Sequence, residues 1–229
     1  MKLTIKTLVL STTTFGLMWG VAQNAQAATL IPGVTAATTN IPGQSSPSWN
    51  INDTVNGNGL PGNTPSLTGL HVPSNAGNSW RSEESPNPGA GGDITFSLKG
   101  SYNLSGFTFW NLGGSSEALT RQGIQNVTIE YSNGGTNWSN LSGAPSMFAQ
   151  GTYGFPATSQ TAQQFNFASV AATHVRFTNL SNFGGFTDST NNRIGFSEIQ
   201  FAGTKIPEPS SLLALLAFGL AGVSLGKRI

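Results

Sequence analysis

Along its middle and C-terminal parts the chain alternates apolar and polar residues with a period of two. Ile94, Phe96 and Leu98 fall on one face of a strand predicted at 93–98. A second run at 104–112 puts Phe107 and Phe109 on one face and Trp110 on the other. A third at 124–132 aligns Val127, Ile129 and Tyr131, and Asn133-Gly134-Gly135 follows it as a hairpin signal, because these residues tolerate positive φ. Shorter runs are predicted at 165–167, at 174–180 with Val175, Phe177 and Asn179 in phase, and at 195–201. In the last, Phe196 faces inward together with Ile199 or Phe201. Upstream, 29–48 carries Pro-Gly twice and reads as an extended lead-in with an edge strand near Leu30 and Ile31. Residues 49–60 form a compact segment broken by Asn and Gly, and 70–85 reads as a loop around Trp80. Short strands separated by turns, with no internal repeat, predict an all-β sandwich.

The two ends follow a different pattern. Lys2 and Lys6 precede a mostly apolar, uncharged stretch at 8–21, and Ala25-Gln26-Ala27 offers small residues for a signal peptidase. Residues 1–27 therefore read as a secretory signal peptide. At the other end Pro207-Glu208-Pro209 is followed by an uncharged apolar segment at 211–225 and then by Lys227-Arg228. This segment is expected as an apolar helix at the low end of the length that spans a bilayer, with the basic pair on the cytoplasmic side. That order resembles the PEP-CTERM sorting signal of Gram-negative bacteria. The resemblance implies recognition by exosortase at Pro207, Glu208 and Pro209, removal of the tail, and delivery to the cell surface or extracellular matrix. A kept single-span membrane anchor is the alternative.

Composition alters the picture in one respect. The formal charge of +1 includes both targeting segments, whereas between Ala28 and Ile206 six bases face eight acids, a net of −2. No basic face is available for phosphates, so nucleic acid is excluded as a partner. With no cysteine there is no disulfide, thiolate metal site or cysteine nucleophile. An exported domain of this kind must be held by its core, aided at most by a bound cation.

Several segments in order resemble a discoidin-like module (coagulation factor type C), one of the galactose-binding-like jelly rolls. They are Asn56-Gly57-Asn58-Gly59-Leu60, Trp80-Arg81-Ser82, the run at 94–98, the run at 127–138 ending in Trp138, His174-Val175-Arg176-Phe177, and the run at 195–201. The resemblance implies a jelly-roll β-sandwich over 49–203, after a lead-in at 28–48 and before the sorting segment at 204–229. It implies that Trp80 and Trp138 are core positions. It also implies a structural Ca²⁺ held where the early Asn-Gly loop meets the Glu of the last strand, at Asn56 and Glu198 with Asp53 as an extra carboxylate; oxygen ligands suit this ion.

A carbohydrate site needs a flat aromatic face and planar polar groups. The loop at 181–193 supplies Phe183, Phe186, Asp188, Asn191 and Arg193, with Trp80 expected nearby. Catalysis has no constellation to carry it. His71 and His174 are the only histidines, no Ser-His-Asp set is spaced for nucleophilic work, and the adjacent Glu83 and Glu84 do not face each other across a glycosidic bond. The expected function is a non-catalytic module that binds exopolysaccharide glycans outside the cell. The alternative is a structural matrix protein without a specific ligand.

Overall fold

The longest alternating runs become the two strands that organise the molecule. In the computed structural model, which describes residues 29–44, 48–85, 92–185 and 192–207, the strands are β1 (Thr29–Leu30), β2 (Thr35–Thr39), β3 (Trp80–Arg81), β4 (Asp93–Asn111), β5 (Thr128–Ser132), β6 (Ser139–Asn140), β7 (Gln163–Thr178) and β8 (Gly195–Lys205). One short helix, α1 (Glu117–Arg121), and two 3₁₀ turns, Ile51–Thr54 and Pro61–Asn63, complete the described elements. The expected signal peptide at 1–27 and the expected apolar helix at 211–225 lie outside the described residues.

All strand pairings are antiparallel, in the order β1-β8-β4-β7-β5-β6, with β2 on β4 and β3 on β8. β7 accompanies β4 along both halves of its length. The opposite edge of β4 pairs first with β2, at 93–97, and then with β8, at 102–111. The change of partner coincides with a register shift between Ser97 and Tyr102, where Lys99 takes φ 55° ahead of Gly100. A bulge bends a strand and sharpens its twist. Here it folds the sheet over itself into a jelly-roll β-sandwich. Aromatic rings from the two halves meet inside: Phe96 lies 5.3 Å from Phe201, and Phe107 lies 6.2 Å from Phe177. Phe109 stacks on Phe148 at 3.8 Å. Each buried Phe contributes roughly 1.5–3 kcal/mol of apolar transfer, and favourably oriented ring pairs add to this.

A second bulge explains a slip in phase. Ile94, Phe96, Leu98 and Leu104 are even-numbered core residues, but Phe107 and Phe109 are odd. The register shifts between Leu104 and Gly106, so one extra residue exchanges the faces. A further shift between Trp110 and Asn111 does the same opposite β8, so that Phe196, Ile199 and Phe201 are all buried.

Three boundaries differ from the sequence reading. Within the lead-in at 28–48, β1 is the edge strand expected near Leu30 and Ile31, but residues 29–44 go further and join the sandwich: β2 pairs with β4, and Ile31 and Ile41 are fully buried. The Thr-Ala-Ala-Thr-Thr run of β2 has too little apolar character to show a face, and only Ala36 points inward. The runs at 165–167 and 174–180 are one continuous strand, β7, because the Ala-rich stretch between them keeps pairing with β4 at 102–104, and its small side chains, of which only Ala172 is fully buried, show no clear alternation. Within 124–132 only Thr128–Ser132 is a strand; Ile124 instead makes an isolated bridge to Asn182.

Candidate functional site

The outer face of β4 and β8 would ordinarily meet water. Instead the chain between residues 56 and 72 covers it: Trp110 Nε1 donates to the Gly69 carbonyl at 3.0 Å and Thr108 Oγ1 to the Leu67 carbonyl at 2.9 Å. Glu198 is the cross-strand partner of Trp110, so it shares that covered face and is 0% exposed. Its Oε1 accepts from the Gly57 main-chain N–H at 3.2 Å and from the Gln200 side-chain amide. Its Oε2 is buried with no partner among the described residues. Burial pushes the Glu198 carboxyl up to about 8; the bonds from Gln200 and Gly57 oppose this, and the charge of Asp53 adds to it. Gly57 has φ 83°, and a Cβ there would lie 2.2 Å from the Pro65 nitrogen, so this close approach requires glycine. Asn56 turns its side chain to the loop itself, donating to Asp53 Oδ1 at 3.2 Å and accepting from the Asn58 N–H at 2.8 Å. His71, fully buried, holds the same loop with its ring nitrogens 2.7 Å from the Val72 carbonyl and 3.0 Å from that of Asn58. Its burial lowers its pKa below 6.5.

A second feature lies around α1. β3 pairs with the start of β8, Trp80 against Phe196 and Arg81 against Gly195. Alternation sends Trp80 into the core and Arg81 outward. Arg81 then forms one wall of an open cleft of about 460 Å³, together with Trp49, Ser74, Asn75, Leu119 and Gln122. Its guanidinium carbon lies 4.5 Å from the centre of the Trp49 ring. Its Nε donates to Gln44 Oε1, and its Nη1 donates to Gln122 Oε1 at 3.3 Å. Arg193 reaches the same Gln44 oxygen at 3.2 Å and the Ser82 carbonyl at 3.0 Å. Burial, and then the like charge of Arg193, lower the Arg81 pKa. On the other side of α1 a smaller cleft of about 320 Å³ is lined by Glu117, Thr120, Gln150 and Tyr153. Beside Tyr153 in sequence, Phe155 is wholly exposed, at 102%.

The fold has relatives. The family described as the F5/8 type C domain matches residues 35–197. The chain belongs to that family. The PEP-CTERM protein-sorting motif matches 205–228, which marks the protein for export and surface sorting in a bacterium. Solved structures similar to this F5/8 type C chain include CpGH89CBM32-5 from Clostridium perfringens in complex with GalNAc-β-1,3-galactose, at 18% identity and TM-score 0.48, covering 76% of this chain and 99% of that one. A family 32 CBM from C. perfringens NanJ in complex with galactose is similar at 12% identity and TM-score 0.47, covering 77% and 98%. A putative chitobiase fragment from Bacteroides thetaiotaomicron is similar at 15% identity and TM-score 0.48, covering 82% and 98%. No curated protein matches the chain.

Within this F5/8 type C sandwich, the residues expected at a site are distributed unevenly. Glu198 and the loop carrying Asp53 and Asn56 do meet. Trp80 is 1% exposed with its edge toward Phe196, so it is a core residue and cannot offer a face to a sugar. Trp138 is half-buried outside the core, where its ring carries Arg176 at 4.3 Å. Arg193 stands beside the cleft, and Phe183 is half-buried next to Gly184, whose N–H donates to the Arg121 carbonyl at 2.9 Å. Phe186, Asp188 and Asn191 lie outside the described residues, as do Glu208 and Pro209; Pro207 is exposed just beyond β8. Trp49, Gln44, Gln122, Tyr153 and Phe155 were not singled out by sequence. Tyr153 and Phe155 had a signal, as two large aromatics around Gly154 in an otherwise small and polar stretch. Trp49 and Gln122 had none, because distant loops bring them together.

Among the described residues no helix is long and apolar enough to cross a membrane.

Proposed function

We propose that the protein is an exported, non-catalytic surface module that binds carbohydrate of the extracellular polymer at the α1 end of its sandwich. The observation that carries this reading is the cleft whose wall sets a guanidinium over an indole and bonds it to the carboxamide of Gln122. Planar polar groups fix sugar hydroxyls, and the exposed Tyr153 and Phe155 nearby supply apolar faces for a pyranose. The family match and the sorting motif agree with a binding role at a surface. Binding of the secreted protein to exopolysaccharide and to a glycan panel tests the proposal. Wild type is retained, and the double substitution Tyr153→Ala with Phe155→Ala weakens retention roughly tenfold, as expected for about 1.4 kcal/mol of stacking. Failure to bind any glycan would leave a purely structural matrix role.

The tail is the substrate of exosortase in a Gram-negative host, with Pro207, Glu208 and Pro209 as the recognised residues and membrane anchoring only transient. Mass spectrometry of the surface protein then finds a chain lacking the segment at 211–225; an intact tail would indicate a permanent anchor.

A structural Ca²⁺ fits the covered face of β8. Glu198 offers a buried carboxylate oxygen without a partner among the described residues, and Asp53 adds a second negative charge. Glu198, Asp53 and Asn56 would hold the ion. Among the described residues no three acidic or histidine side chains cluster, so main-chain carbonyls would complete the shell. The ion would supply the positive charge that keeps Glu198 ionised.

A further inference from the structure

The cleft beside α1 holds a cation that no carboxylate among the described residues neutralises. The chain contains an internal control. Arg176 and Arg81 are both stacked over tryptophans, at 4.3 Å and 4.5 Å. Arg176 is compensated: its Nη2 lies 2.7 Å from Glu130 and its Nη1 3.8 Å from Asp93. Arg193 has Glu84 at 3.5 Å. Arg81 has only amide oxygens, those of Gln44 and Gln122. No carboxylate among the described residues lies within 4 Å of it, and its Nη2 has no hydrogen-bond partner among them. The neighbouring charge is another guanidinium, that of Arg193, on the same Gln44 oxygen. Two cations held together, one lacking an anion and half-buried in an open cleft, are costly in isolation. The arrangement also stands in a domain whose mature charge is −2, so it is not a general basic surface.

We infer that this cleft is selective for acidic saccharides, with Arg81 receiving the carboxylate of a uronate-type sugar. The inference rests on the carbohydrate reading above and names the ligand class for that site. The guanidinium is fixed from behind by Gln44 and from the side by Gln122, while Trp49 sets its plane. A planar carboxylate matches the remaining donors, and the fixed fork lowers the ordering cost of the bond.

The experiment is calorimetric titration of the full secreted protein with a uronate oligosaccharide and with the same oligosaccharide after its carboxyl groups are reduced to alcohols. The acidic ligand binds roughly 10- to 100-fold more tightly, the range of one charge-assisted hydrogen-bonded contact. Its affinity falls with added salt, while that of the reduced ligand does not. Arg81→Gln removes the difference between the two ligands, and Arg81→Lys restores part of it. The ligand comparison and the salt series use wild type alone, so they decide the matter even if a variant folds poorly. Equal binding of both ligands overturns the acidic preference and leaves carbohydrate binding intact. Binding of neutral glycans without either of these ligands does the same. Absence of binding to every glycan overturns both.

Discussion

Glu198→Gln makes the calcium-free protein more stable in mildly alkaline buffer and abolishes its response to calcium. The folded-state value of about 8 stands above the unfolded value of 4.5, so between these limits the native state binds more protons than the unfolded chain. The stability contributed by a protonated Glu198 is fully present below pH 4.5. It is lost as pH rises toward 8, at a slope of roughly 1.4 kcal/mol per pH unit for one proton. Glutamine has nearly the same shape and no charge to bury, so the variant lacks that slope; the difference between the two pH profiles cancels every other group. Calcium reverses the order. An ion bound to ionised Glu198 displaces its proton, so the gain in melting temperature is larger at pH 8 than at pH 6. At a hundredfold excess over its dissociation constant the ion adds about 2.7 kcal/mol. Denaturant melts of both proteins, in chelator and in millimolar calcium, measure all of this. A calcium shift that survives in the variant would place the ion elsewhere, and no shift in wild type would remove the ion from this face.

The second large effect belongs to the core. Phe109→Ala lowers stability by about 4 kcal/mol in urea denaturation, within the range for a buried aromatic truncated to Ala. Phe109 is fully buried, stacks on Phe148 at 3.8 Å and meets Phe196 at 5.4 Å. Its removal opens a cavity where the two halves of the folded-over sheet touch. Because the chain has no cysteine, nothing covalent limits the loss. A cost below about 1 kcal/mol would mean that the halves collapse onto the void.

The difference between these two positions shows what could be read from sequence. Phe109 lies in a period-two run, and period two is a property of the chain itself: neighbouring side chains leave a strand on opposite faces whatever it later packs against. The inward faces of 93–98, 104–112 and 174–180 were legible for that reason. So was the Asn133-Gly134-Gly135 turn, whose glycines adopt φ 140° and 80°. Where a bulge inserts a residue, as near Ser105, the phase exchanges and the pattern no longer says which half faces inward. Glu198 presents the opposite case. Resemblance put it beside Asn56, but alternation left its face open, because Phe196 cannot share an inward face with Ile199 or Phe201 in a regular strand. It is buried only because a loop 141 residues earlier in the chain reaches it through Gly57.

The α1 cleft was less legible still. Trp80 and Arg81 are adjacent, and the sequence offered Trp80 both as a family core position and as a residue beside the sugar site. The strand sends Trp80 into the core and leaves Arg81 at the cleft, on a tryptophan that sequence had treated only as the start of the domain. What the sequence determined by itself is the class and the address: a β-sandwich of alternating strands between an export signal and a sorting motif, since both rest on local periodicity and on short linear patterns. The tertiary structure decided which polar residues lose their water and which charges lack partners. Burial and pairing depend on segments that meet only when the sheet folds over, and these two properties turn Glu198 and Arg81 into candidates for binding.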